Sequence, residues 1–294
     1  MTIRALIALT GLLYGAMYSG HALCVQQPVN AWSADEAAAR ADKDYQRLIE
    51  IKLNQAEHWL QVGELQKARK AVVQARIANQ KGTGYRSIDI ELLAAAVQFS
   101  AGQYDRAETT LKGLIETIPE NTAARPVALN NLGNVFMAQD RVLYALSEYQ
   151  EALRSVQDPQ IRLRIKIELN MTRVLNALSR HSEARVSVQR SIETLNALPA
   201  DASKVPLLLT AAQRLSELPI TKTGDSLKEQ RYRLLREAET ISAKYEHDND
   251  RASALMALST LYTEDGRIDE ALALSRQSLF YAQRVNAAPL LVRI

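Results

Sequence analysis

A small residue returns at a near-constant interval along this chain, and that interval narrows the possible folds more than any other feature. Ala68, Ala107, Ala145, Ala184 and Ala271 mark it. The first three steps are 39, 38 and 39 residues, and the last is 87, about two periods plus an insertion. Self-similarity at intervals of this size belongs to stacked supersecondary units, each too small to bury its own apolar face. The surroundings of each anchor repeat as well. A turn residue stands five positions earlier, at Gly63, Gly102, Asp140, Ser179 and Gly266. A larger residue that can wedge between helices stands three earlier, at Leu65, Tyr104, Val142, His181 and Ile268. Twelve earlier comes a small packing position, at Ala56, Ala95, Gly133, Thr172 and Ser259, with Trp59, Gln98 (beside Phe99), Phe136, Leu175 and Tyr262 three residues after it. Small residues let two helices approach and large ones fill the space between neighbours. Each anchor is therefore expected to open the second helix of a hairpin.

Composition agrees. Ala, Leu, Glu, Gln and Arg dominate, aromatics make up 5%, and only 11 glycines and 8 prolines interrupt 294 residues. Those residue types favour helix. No stretch alternates polar and apolar residues as a strand would. Breakers fall between hairpins, at Gly82-Thr-Gly84, Pro119, Asp158-Pro159, Pro199, Pro219 and Gly224, and Pro289.

The third copy carries the pattern most fully: Leu129, Leu132-Gly133, Phe136, Ala145, Tyr149 and Ala152, with Pro159 near its exit. The second has Gly102-Gln-Tyr-Asp-Arg-Ala107 and Pro119, and the last has Leu258, Tyr262 and Gly266-Arg-Ile-Asp-Glu-Ala271. This pattern resembles the tetratricopeptide repeat. The first and fourth copies are looser, with Gln55 and Glu168 where apolar residues are usual. The resemblance implies an all-α, right-handed solenoid of helical hairpins, an α-α superhelix. The period exceeds the family's usual ~34 residues, which implies longer helices or longer loops between hairpins. Five to six hairpins are expected over residues 33–294.

The N-terminus reads as a secretory leader. Met1-Thr-Ile-Arg4 supplies a positive start, and Ala5–Tyr18 is apolar apart from Thr10. Ser19-Gly-His-Ala22 then presents small residues for cleavage after Ala22. Residues 1–22 are expected to be the leader and 23–32 a linker, placing the mature chain in the periplasm or outside the cell. Cys24 is the sole cysteine, so no intrachain disulfide forms and no thiolate cluster lies within the repeats. Lipid attachment there would need a small residue before it, and Leu23 is not one.

Net charge is +3, or +2 once Arg4 leaves with the leader. That is too mild for a nucleic-acid binder. Arg154, Arg162, Arg164, Lys166, Arg173, Arg180, Arg185 and Arg190 form a local basic run, which reads as a solvated face diluted by Glu151, Glu168, Glu183 and Glu193 ahead of the other reading, a groove that attracts acidic peptides. No catalytic constellation is legible. His21, His58, His181 and His247 share no metal-like spacing. The glycines of Gly82-Thr-Gly84 lack the lysine and the strand-to-helix context of a phosphate loop. No cofactor, metal or enzymatic activity is expected.

Where the family's geometry applies, the first helix of each hairpin lines a concave groove. The resemblance therefore implies a surface for a protein or peptide, lined by Val127, Asn130, Asn134 and Met137 in the third copy and by Lys166, Leu169, Asn170 and Arg173 in the fourth, all expected on an exposed face. Asn amides can both donate to and accept from an extended backbone. Asn134 and Asn170 stand where carboxylate-clamp members of the family carry Asn, but the flanking cations of that clamp are not matched.

Residues 195–249 depart from the pattern and read as a degenerate hairpin, with helices over Val205–Leu218 and Asp225–Tyr245 and an enlarged loop. Ser33 is expected to cap the first helix, and Asn249 or Asp250 the one after His247. Leu290, Leu291 and Ile294 offer an apolar surface suited to self-association. The run Ala128-Leu-Asn-Asn-Leu-Gly-Asn134, the looped hairpin, Leu261-Tyr-Thr-Glu-Asp-Gly266 and Ala271–Phe280 also resemble the repeat region of bacterial CHAT-domain proteins. That resemblance implies a recognition arm for a caspase-like peptidase lying beyond residue 294, with no catalytic residue in this chain.

Overall fold

A helix ends cleanly where one residue can turn left-handed, and this chain does so at regular places. In the computed structural model, which describes residues 29–284 except 83 and 220–223, Gly63, Gly102, Asp140, Ser179 and Gly266 have φ of 80°, 72°, 60°, 58° and 73°. These are the five turn residues read from the sequence. Each closes a Schellman motif. At the first, the N–H of Glu64 donates to the Trp59 carbonyl at 2.8 Å and that of Gly63 to the Leu60 carbonyl at 3.2 Å. The same paired bonds recur at the other four. Lys43 and Glu246, with φ of 54° and 56°, make two further motifs of this kind.

The described residues form thirteen α-helices. They divide between two compact units that meet in sequence at Arg141 and Val142. The first unit holds α1 (Val29–Ala41), α2 (Tyr45–Gln61), α3 (Leu65–Lys81), α4 (Ser87–Ser100), α5 (Tyr104–Thr117) and α6 (Ala124–Ala138). The second holds α7 (Val142–Ser155), α8 (Ile161–Ala177), α9 (His181–Asn196), α10 (Val205–Glu217), α11 (Gly224–Lys244), α12 (Asp248–Glu264) and α13 (Ile268–Arg284). Residues 1–22, read from the sequence as a leader, Cys24 and the Leu290–Ile294 segment lie outside the described residues.

Each second helix begins at the residue read as a wedge (Leu65, Tyr104, Val142, His181 and Ile268), so the alanine anchor sits one turn inside it. All five anchors are buried, as are the five small positions on the first helices. Ser259 shows why these positions must stay small: its hydroxyl donates to the carbonyl of the anchor Ala271 across the α12–α13 contact at 2.8 Å. The wedge role is weaker than expected. Tyr104 packs on Phe99 with ring centroids 5.4 Å apart, whereas Ile268 is 52% exposed.

In the first unit α2 packs on α3, α3 on α4, α4 on α5 and α5 on α6, and α4 also touches α6. Trp32 of α1 is buried edge-on against His58 and Trp59 of α2, with centroids 5.1 and 6.2 Å away. In the second unit α8 packs on α9 and α10, α10 on α11, α11 on α12 and α12 on α13. Its core gathers Leu169, Leu195, Leu208, Leu215, Leu235 and Leu258 among others. Each fully buried leucine contributes about 1.5–3 kcal/mol relative to exposure. The long period resides both in helices of 14–17 residues and in connectors such as 82–86 and 118–123.

Three local expectations are corrected. Helix α1 starts at Val29, so Ser33 lies inside it. The N-cap of α12 is His247, without a side-chain capping bond, and Asn249 and Asp250 fall in the first turn. Helix α10 ends at Glu217, one residue earlier than read, because Pro219 cannot continue it.

Candidate functional site

Spacing puts the predicted groove residues on single helix faces. Asn130, Asn134 and Met137 on α6, and Lys166, Asn170 and Arg173 on α8, follow one another at steps of four and three, which keeps each set on one stripe. The structure corrects their surroundings. Val127, Asn130, Asn134, Lys166, Leu169 and Asn170 are buried, and only Met137 and Arg173 keep partial solvent contact. First helices also pack on one another, α4 with α6 in the first unit and α8 with α10 in the second. Among the buried amides, Asn130 Nδ2 donates to Asn131 Oδ1 at 3.4 Å.

In the second unit the stripe on α8 meets a residue that sequence reasoning missed. Arg214 of α10 has 0% exposure in a stripe otherwise made of Leu207, Leu208, Ala211 and Leu215. Its Nη1 is paired with Glu217 Oε2 one turn along the helix. A lone arginine inside an aliphatic run, three residues before a glutamate, was the available signal. Arg173 lies within electrostatic reach of Arg214, and both act on Tyr149 of α7, whose hydroxyl is hydrogen-bonded to Arg173. Burial pushes the Tyr149 phenol up to about 12, against the pull of the two guanidiniums, so it stays neutral. Burial likewise lowers the Arg214 pKa, opposed by Glu217 and reinforced by Arg173. The group thus carries two cations and one carboxylate in a largely dry setting. Nε and Nη2 of Arg173, and Nε and Nη2 of Arg214, are buried without hydrogen-bond partners.

Lys166 belongs to the same stripe and is equally anomalous. Its Nζ is buried with no partner, and burial alone pulls its pKa down to about 7. The other buried lysines are satisfied. Lys204 Nζ lies 2.7 Å from Glu237 Oε1 and donates to the Leu198 carbonyl at 3.3 Å. Lys52 is bound to Glu36, and to Gln55 at 2.9 Å.

The basic run is not one solvated face. Arg154, Arg162 and Arg180 pair with Glu151, Asp201 and Glu183, while Lys166 and Arg173 turn inward. Glu168 is buried, its pKa raised by desolvation, and it accepts from the Ser191 hydroxyl at 3.3 Å. His181 Nδ1 rests 2.9 Å from Asn176 Oδ1 at the head of α9. Among the described residues no cluster of three or more His, Cys, Asp or Glu could hold a metal ion, and no helix is long and apolar enough to cross a membrane.

No family model matches the sequence, and no curated protein does. Solved structures share its fold. The apo form of RapI is 11% identical, with a TM-score of 0.59 over 87% of this chain and 91% of its own. A Rap protein complexed with competence and sporulation factor is 14% identical, with a TM-score of 0.62 over 90% of this chain and 76% of its own. BtubC (BKLC) from P. vanneervenii is 13% identical, with a TM-score of 0.53 over 77% of this chain and 91% of its own. The chain is therefore an all-α helical repeat of tetratricopeptide type. The likeness to CHAT-domain proteins rests on the sequence alone.

Proposed function

We propose that this chain is an exported, non-catalytic helical-repeat module that binds a protein or peptide segment along the inward stripes of its first helices. The observation that carries the reading is the polar content of those stripes. Asn130 and Asn134 on α6, and Lys166 and Asn170 on α8, are buried where a purely structural array would carry aliphatic side chains. Burying an ammonium group costs free energy unless it is paired, and Lys166 Nζ is buried without a partner, so that position is retained most readily where a ligand uses it. A Rap protein of the same fold, crystallised with competence and sporulation factor, supports a binding role. Export rests on the leader-like residues 1–22.

Position-specific photocrosslinking tests the binding role. A benzophenone amino acid in place of Met137 is expected to capture a partner from periplasmic extract, and one in place of the exposed Tyr144 or Leu272 is not. Crosslinks from Tyr144 and Leu272 alone would move the binding surface to the second helices and overturn the reading. The mass of the chain recovered from the periplasm tests export, with Leu23 expected as its first residue. The alternative, a recognition arm serving a CHAT-type peptidase, is favoured by the repeat style of Leu261–Phe280. Reading the gene past codon 294 separates the two.

A further inference from the structure

The second unit contains a binding subsite whose ligand chemistry can be named. A guanidinium offers two donor edges. The side edge, Nε–H with one Nη2–H, matches the two oxygens of a carboxylate. In Arg214 that edge is buried and unpartnered, while Nη1 is taken up by Glu217. In Arg173 the same Nε and Nη2 are buried and unpartnered. The two side chains are close enough to repel each other electrostatically, and both act on the neutral phenol of Tyr149. Glu217 supplies one negative charge against two positive ones. The group is one anion short of neutrality, whereas two buried lysines, Lys204 and Lys52, each have a carboxylate partner, Glu237 and Glu36.

We propose that Arg173 and Arg214, braced by Tyr149 and Glu217, form a subsite that takes a carboxylate from an acidic peptide bound to the module. The inference rests on the peptide-binding reading above and names what that peptide must carry. Arg214 is fixed: it is fully buried, and its pairing with Glu217 holds the guanidinium plane. Arg173 keeps partial solvent contact, although its Nε and Nη2 are buried, so it is the member of the pair nearer solvent. A carboxylate seated on both edges would accept charge-assisted hydrogen bonds from each and bring the local charge to zero. A neutral amide of the same shape cannot, because its NH2 would face further N–H donors. The subsite therefore discriminates Glu from Gln at one ligand position.

Three small probes on the full chain test this by the Nε–Hε NMR signals of Arg173 and Arg214. N-acetylglutamate amide carries only a side-chain carboxylate, N-acetylglutamine only a terminal one, and N-acetylglutamine amide neither. The first is expected to shift both signals saturably, and the neutral probe to leave them in place. Saturation by N-acetylglutamine alone would keep the carboxylate subsite and assign it to a chain terminus. Arg173→Gln is expected to weaken carboxylate binding at least tenfold. No saturable shift with either carboxylate, or an equal shift with the neutral amide, would overturn the subsite without reference to any variant. Crosslinking at Met137 reports separately on the module. Partner capture with no carboxylate shift removes the subsite and leaves the module, and the reverse result removes the module reading.

Discussion

Lys166 is the residue where burial and charge conflict most openly. Its amine is buried without a partner and its pKa falls to about 7, from a usual value near 10.5. Below pH 7 the amine is charged in folded and unfolded chains alike, and the folded state bears the full desolvation cost. Between pH 7 and about 10.5 the unfolded chain keeps a proton that the folded chain has released, so stability rises with pH across that window. Converted at about 1.4 kcal/mol per pH unit, the shift caps the cost near roughly 5 kcal/mol. Lys166→Met is thus expected to stabilise the protein by about 2–4 kcal/mol at pH 6–7, with the gain fading toward pH 10. Urea unfolding across that pH range checks it, and a gain independent of pH would show that the amine is not desolvated. The sequence located Lys166, Asn170 and Arg173 on one face but not their burial. Exposure depends on how closely α10 approaches α8, and that distance is set by side chains far away in sequence. The burial of Arg214 was missed for the same reason: alone in an aliphatic helix, with Glu217 three residues on as the only signal, it reads as a surface residue.

At the scale of elements, the hairpin turns were legible and their chemistry explains why. A residue in the left-handed region satisfies the last carbonyls of one helix and redirects the chain into the next. Glycine does this without strain, and other L-residues at roughly 1–2 kcal/mol. An ideal Cβ at Gly102 meets nothing within 4 Å, so Gly102→Ala carries only the conformational term. It is expected to destabilise by about 1 kcal/mol. Ser179, at φ 58°, adopts that conformation with a side chain. Ser179→Gly is expected to gain about 0.5 kcal/mol, the unfolded chain's greater freedom offsetting part of the relief. Chemical denaturation midpoints at an unchanged m-value test the pair, and a loss in both variants would contradict the strain argument. The turn at Lys43 escaped the sequence reading, and the one at Glu246 was read only as a helix end outside the repeat, because neither is followed at the expected distance by a small anchor. Leu48 and Arg251 occupy those places. The grammar reports how two helices of one hairpin pack and is silent where a turn joins helices that pack differently.

For the whole molecule, the consequence of repeat architecture is that stability is local. Each helix of the second unit packs on its near neighbours, α8 on α9 and α10, α10 on α11, α11 on α12. Energy is then approximately a sum of repeat and neighbour terms, and a defect weakens first what touches it. Leu208 sits fully buried in the middle of this core. Leu208→Ala removes buried methyl groups and leaves a cavity, at about 2–5 kcal/mol. Hydrogen exchange is expected to lose most protection in α8, α10 and α11, with the amides of α2 and α3 in the first unit little changed. Uniform loss across all described helices would mean one cooperative block, and the period of the sequence would then describe only the geometry of the chain and not its energetics. A local response would place the carboxylate subsite between α8 and α10 in a region whose opening is tuned by its own neighbours. Ligand binding there should restore protection in the same helices and leave the first unit unchanged.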